Sequence, residues 1–172
     1  MAFANKLGPA YEAIRAAAKI KTIKVSMNDV ECELKVRIPV KREMEEITAS
    51  ISSPDQSLID EIFNELAAPL KKTLAESEEG FLDALNKEEE RIKITDNDVI
   101  VSGTSVRQMA QYTAIWQKQV EIYFSLLQSP TGEPINESYQ EIADEFPEAV
   151  IREIIEKIES AIRPNYKDTK KN

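Results

Sequence analysis

The side chains able to do chemistry in this sequence are almost all carboxylates. Glu61 stands with Glu65, Glu88 with Glu90, and Asp96 with Asp98. Acid–base catalysis by such a pair needs two carboxyls in unlike environments, usually within a cleft. These pairs sit in highly charged, helix-surface or turn-like contexts, which predicts solvated faces. Asp96-x-Asp98 resembles the start of a calcium loop, but the glycine and later ligands of that motif are missing. The chain has no histidine, so the commonest general base and metal ligand is absent. Its one cysteine, Cys32, excludes an internal disulfide and a cysteine-cluster zinc site. Cys32 lies in an alternating run and reads as a small strand residue. A serine or threonine nucleophile would have no histidine partner, and no residues mark a Ser–Lys arrangement. No phosphate loop, dinucleotide fingerprint or nucleophile elbow occurs. The expectation is a non-enzymatic protein, with no catalytic residue, cofactor or metal.

Whatever the protein does must then be done by surfaces, and the composition constrains those. The chain has 172 residues, 42% of them hydrophobic, enough for a real core. Its net charge is −9 and uneven. Residues 1–42 carry nine Lys/Arg against four Asp/Glu, and residues 43–98 carry five against sixteen. The basic first segment is expected to pair with the acidic second one, or with an acidic partner. The overall sign disfavours non-specific nucleic-acid binding. No apolar run approaches the roughly 18 residues of a membrane span. The N-terminus lacks a signal-peptide pattern, so the expected location is cytoplasmic.

The pattern predicts an α+β fold, mainly α-helical, with a helical core around residues 105–128 and one or two short β-hairpins. Residues 1–19 read as an arm or short helix, with Pro9 at its start and Tyr11 and Ile14 on one face. A single domain is expected over 20–164, followed by a flexible tail at 165–172. Period-two alternation over 20–38 predicts a hairpin turning at Asn28–Asp29 and ending at Pro39. Helices are expected over 41–85. Glu43, Glu45 and Glu46 fall in the first turns of the first, where acids complement the helix dipole. The second starts near Asp55 and carries Leu58, Ile59, Ile62, Phe63 and Leu66, with Pro69 kinking or ending it. A second hairpin is expected over 91–101, and "SGTS" then opens a helix with Ser105 and Gln108 as a capping box. From there Val106, Met109, Thr113, Trp116, Val120, Tyr123 and Leu127 recur at spacings of three and four, which predicts the buried centre of the fold. Further helices reach residue 162, the last starting at Pro147 with Val150, Ile151, Ile154, Ile155, Ile158 and Ile162 inward.

The order and style of these segments resemble the tail assembly chaperones of long-tailed bacteriophages and prophages. The resembling features are the basic hairpin leading to "VRIPVKREMEEI", the helix with "SSPDQSLIDEIF", the aromatic helix around Trp116, and "EFPEAVIREIIEKIESAI". The similarity runs from about residue 20 through most of the chain and contains no invariant motif. It implies a non-enzymatic protein of the host cytoplasm that binds the tape-measure protein, keeps it soluble and recruits tail-tube subunits. It also implies self-association into a homo-oligomer. In that family a ribosomal frameshift near the end of the gene makes a longer second product, and Lys170-Lys171 can be encoded by a slippery run of adenines. The faces expected to meet a partner carry Tyr11 and Ile14 of the first helix and Ile59, Ile62 and Phe63 of the acidic second one. Two rival readings are a generic self-associating interaction module of phage or bacterial origin and an acidic nucleic-acid mimic that binds a basic partner.

Overall fold

Alternating β-branched residues from Ile20 onward build the first element of the computed structural model, which describes residues 19–27, 30–76, 92–131 and 135–163. Strands β1 (Ile20–Met27) and β2 (Val30–Arg37) pair antiparallel, with Ile20 opposite Arg37 and Met27 opposite Val30. Asn28 and Asp29, the expected turn, lie outside the described residues, as do residues 1–18 and 164–172. Ile23, Val25 and Val36 fill the buried face, with Leu34 and Cys32 half-buried beside them. Lys21 shares that face, and its Nζ donates to the carbonyl of Ala161 at 2.8 Å.

Pro39 stops the strand as expected, and helix α1 (Lys41–Ser52) follows. The charges around the junction have a structural use. Arg37 donates through both terminal nitrogens to the carboxylate of Glu43, at 2.6 and 2.9 Å, tying the strand exit to the first helical turn. That hydrogen-bonded guanidinium holds the Glu43 carboxyl below its ordinary range. Helix α2 (Gln56–Glu76) continues past Pro69. Pro69 therefore does not end it. The carbonyl of Glu65, which loses its helical donor to the proline ring, lies on an exposed residue where water can serve it. The expected continuation to residue 85 passes outside the described residues after Glu76.

Strands β3 (Ile92–Ile94) and β4 (Val99–Val101) form the expected second hairpin, and β5 (Thr104–Ser105) adds a third strand. Between β4 and β5 the chain turns at Ser102 and Gly103, both at positive φ, 48° and 78°. Such a turn matches the twist of paired strands, so "SGTS" is a sheet turn before it is a helix start. Helix α3 (Val106–Phe124) ends four residues sooner than its apolar pattern predicts. Leu126 and Leu127 leave the helix for the sheet. Arg37 N–H donates to the Leu126 carbonyl and Gln128 N–H to the Lys35 carbonyl, each at 2.8 Å. Helices α4 (Tyr139–Glu145) and α5 (Glu148–Ile162) complete the described chain. The observed architecture is α+β, with five helices and two small antiparallel sheets among the described residues.

The backbone divides into two compact units, one from residues 1–48 and 119–172, the other from 49–118. In the first unit α5 packs on β1. Ile151, Ile154, Ile155, Ile158, Ala161 and Ile162 are buried, at the expected spacing. Each such isoleucine contributes roughly 1.5–3 kcal/mol through burial. In the second unit α2 supplies Ile59, Ile62, Phe63 and Ala67 to a core shared with Val99, Val106, Ala110 and Ala114. The stripe of α3 is thus only partly inward. Val106, Val120 and Tyr123 are buried, but Met109 is 47% exposed, and small Ala110 and Ala114 take the buried line instead. No helix among the described residues is long and apolar enough to cross a membrane.

Candidate functional site

Of the carboxylates singled out by the sequence, the described ones are set to structural tasks or to solvent. Glu61 and Glu65 lie exposed on α2, and Glu88 and Glu90 fall outside the described residues. Asp96 is exposed. Asp98 is not a calcium ligand set in waiting but a cap for α3. Its Oδ1 accepts from Val99 N–H at 2.8 Å and Arg107 N–H at 2.9 Å, and its Oδ2 from the Ser105 hydroxyl at 2.5 Å. Partial burial pushes its carboxyl up. The hydrogen bonds and the Arg107 charge outweigh that and leave it below the ordinary value. Ser105 in turn accepts the Gln108 N–H at 2.9 Å, which is half of the expected capping box. The Gln108 side-chain NH2 donates to the Tyr112 hydroxyl, one turn further along, at 3.1 Å. Among the described residues, no three metal-ligating side chains converge.

Of the expected contact residues, Tyr11 and Ile14 lie outside the described part. Ile59, Ile62 and Phe63 are brought together, but in the core of the second unit, each less than a tenth exposed. What remains of Phe63 faces two cations, the Arg107 guanidinium 4.4 Å and the Lys71 Nζ 5.5 Å from its ring centre. Arg107 is fixed there by Asp60 at 2.7 Å. In this conformation these three side chains serve the fold.

The apolar surface left open lies one helical turn further along. Leu66, Pro69 and Leu70 of α2 face Val101, Val106 and Met109 across a groove of about 320 Å³ within the second unit. Leu66 is 38% exposed, and Tyr112 beyond Met109 is 62% exposed. Sequence reasoning passed over this groove because Met109 fitted the core stripe. The signal was the excess of apolar residues around α3, more than one buried face requires.

The first unit holds a second concavity, also about 320 Å³. Its floor is built by Cys32 and Leu34 of β2, Phe124 of α3, Phe146 after α4, and Ile154 of α5. The rings of Phe124 and Phe146 meet at 6.1 Å, tilted by 57°. Glu137, Glu141 and Glu145 stand exposed at its mouth. Helix α4 owes its position to a complete capping box. The Ser138 hydroxyl receives the Glu141 N–H, and the Glu141 carboxylate receives the Ser138 N–H at 2.7 Å. Those Ser138 bonds hold the Glu141 carboxyl below its ordinary value.

No family model, no curated protein and no solved structure matches this chain.

Proposed function

We propose that the protein is a non-enzymatic binding protein of the tail assembly chaperone type, which holds an apolar helical stretch of a tape-measure protein and recruits tail-tube subunits to it. The observation that supports this reading is the open apolar groove of the second unit. Leu66 and Met109 stand well exposed on either side of it. A groove of this kind suits the i, i+3, i+4 anchors of an amphipathic helix. A long, repetitive helical chain would offer such anchors many times over, and self-association would let several copies act on one chain. The resemblance in the order of segments supplies the identity of the partner; the groove supplies a physical means of holding it.

The test is co-expression with a tape-measure protein of a long-tailed phage. The two should co-purify, and Met109→Glu should abolish co-purification while leaving the fold intact. A folded wild-type protein that leaves the tape-measure protein insoluble and unbound would refute the reading. Expression with native downstream DNA should also give a minor extended product joined at Lys170–Asn172.

A further inference from the structure

We propose that the cleft of the first unit is a separate docking site, whose occupant is a basic amphipathic segment of another polypeptide that seats an apolar side chain on the cleft floor and places Lys or Arg against Glu137, Glu141 and Glu145. The floor is aromatic and aliphatic, and about 320 Å³ accepts one or two large side chains. None of the described residues lining it is Lys or Arg, so the three carboxylates at the mouth meet no counter-charge from the lining itself. The carboxylates are spread along the chain at intervals of four. Glu141 and Glu145 are one turn apart on α4, a separation of about 6 Å along the axis. One amine head cannot answer a row of that length. A chain with basic residues at similar intervals can, which is why a polypeptide and not a small lipophilic amine is the fitting occupant. The site is distinct from the groove of the second unit and does not depend on the chaperone reading. None of the described residues lining that groove is a carboxylate, so the two sites would select by different chemistry.

Cys32, the only cysteine in the chain, lies on the cleft floor and reports occupancy directly. Its rate of modification by a thiol reagent is measured on the full chain with three synthetic helical peptides. One has a leucine face and lysines, one the same leucine face and glutamates, and one lysines with serines in place of leucines. The Leu/Lys peptide should slow modification about tenfold at ten times its dissociation constant, by simple occupancy. The other two should leave the rate unchanged. Added salt should weaken the Leu/Lys protection, and Glu137→Gln with Glu145→Gln should weaken peptide binding about fivefold. Glu141 is left in place because its carboxylate caps α4. Equal protection by the Leu/Glu peptide would overturn the proposal, as would no protection by any peptide on a folded chain. Slow modification without peptide, relieved by Tyr11→Glu with Ile14→Glu, would also overturn it, by naming the chain's own first segment as the occupant.

Discussion

Replacing Asp98 by alanine removes one carboxylate and leaves three donors without their acceptor. The Arg107 N–H belongs to the first turn of α3, and losing a side-chain cap there costs about 1 kcal/mol. The Val99 N–H belongs to a residue that is fully buried, and a shielded donor left unpaired costs roughly 1–3 kcal/mol. The Ser105 hydroxyl can turn to solvent and adds little. Asp98 itself is half-buried, so water recovers part of the loss, and about 2 kcal/mol is expected for Asp98→Ala. Asp98→Asn keeps a carbonyl oxygen and should cost about half as much. The charge gives the experiment a second axis. The folded carboxyl titrates below its ordinary value. Its charge-linked stability is therefore fully present above an unfolded pKa of about 3.9 and is lost as pH falls through the lower folded pKa. The gap between wild type and Asp98→Asn should be constant near neutrality and shrink below about pH 4. Urea unfolding followed by the fluorescence of Trp116, the single tryptophan and a member of the same unit, measures both. An alanine variant within about 0.5 kcal/mol of wild type at pH 7 would refute the capping argument. A gap that widens on acidification would refute the sign of the titration.

Other substitutions probe the remaining supports. Ile158→Ala, at a fully buried position on α5, should cost roughly 2–5 kcal/mol in urea unfolding of the first unit. Gly103→Ala meets no atom within 4 Å, so its cost should be backbone strain alone, about 1 kcal/mol at φ +78°, read from the same unfolding curves. Arg37→Ala breaks a bidentate but partly exposed pair with Glu43 and should cost no more than about 1 kcal/mol, an effect that shrinks in high salt.

Period and punctuation made much of the fold legible. The alternation through Cys32, Leu34 and Val36 gave the hairpin face, and the isoleucine spacing gave the inner side of α5. Where the reading failed, a longer-range contact decided. Leu126 and Leu127 continue the helical pattern of α3, yet they pair with β2, whose Lys35 carbonyl and Arg37 N–H face them. Pro69 should interrupt α2 on local grounds, but an exposed carbonyl can accept water instead. Asp98 read as a solvated turn carboxylate because its neighbours in sequence are turn residues, while its partners Ser105 and Arg107 lie beyond a strand and a turn. The open groove and the acidic-rimmed cleft are both made by residues far apart in the chain. Composition showed surplus apolar residues on α3; only the packing says which of them reach solvent.

The first unit is assembled from both ends of the described chain, with the second unit as a continuous insert. During synthesis this imposes an order. The hairpin of β1 and β2 leaves the ribosome early, but Ile151 to Ile162, which cover its side of the core, come 114 to 125 residues after Arg37. At translation rates of about 5–20 residues per second, the hairpin waits roughly 6–25 s for them. The described core of the insert, Ile59 to Ala67 against Val99 to Ala114, draws on that segment alone and is synthesised before then. A nascent chain of this protein therefore passes through a stage in which the whole insert has been made while Ile23, Val25 and Val36 still lack the isoleucines of α5.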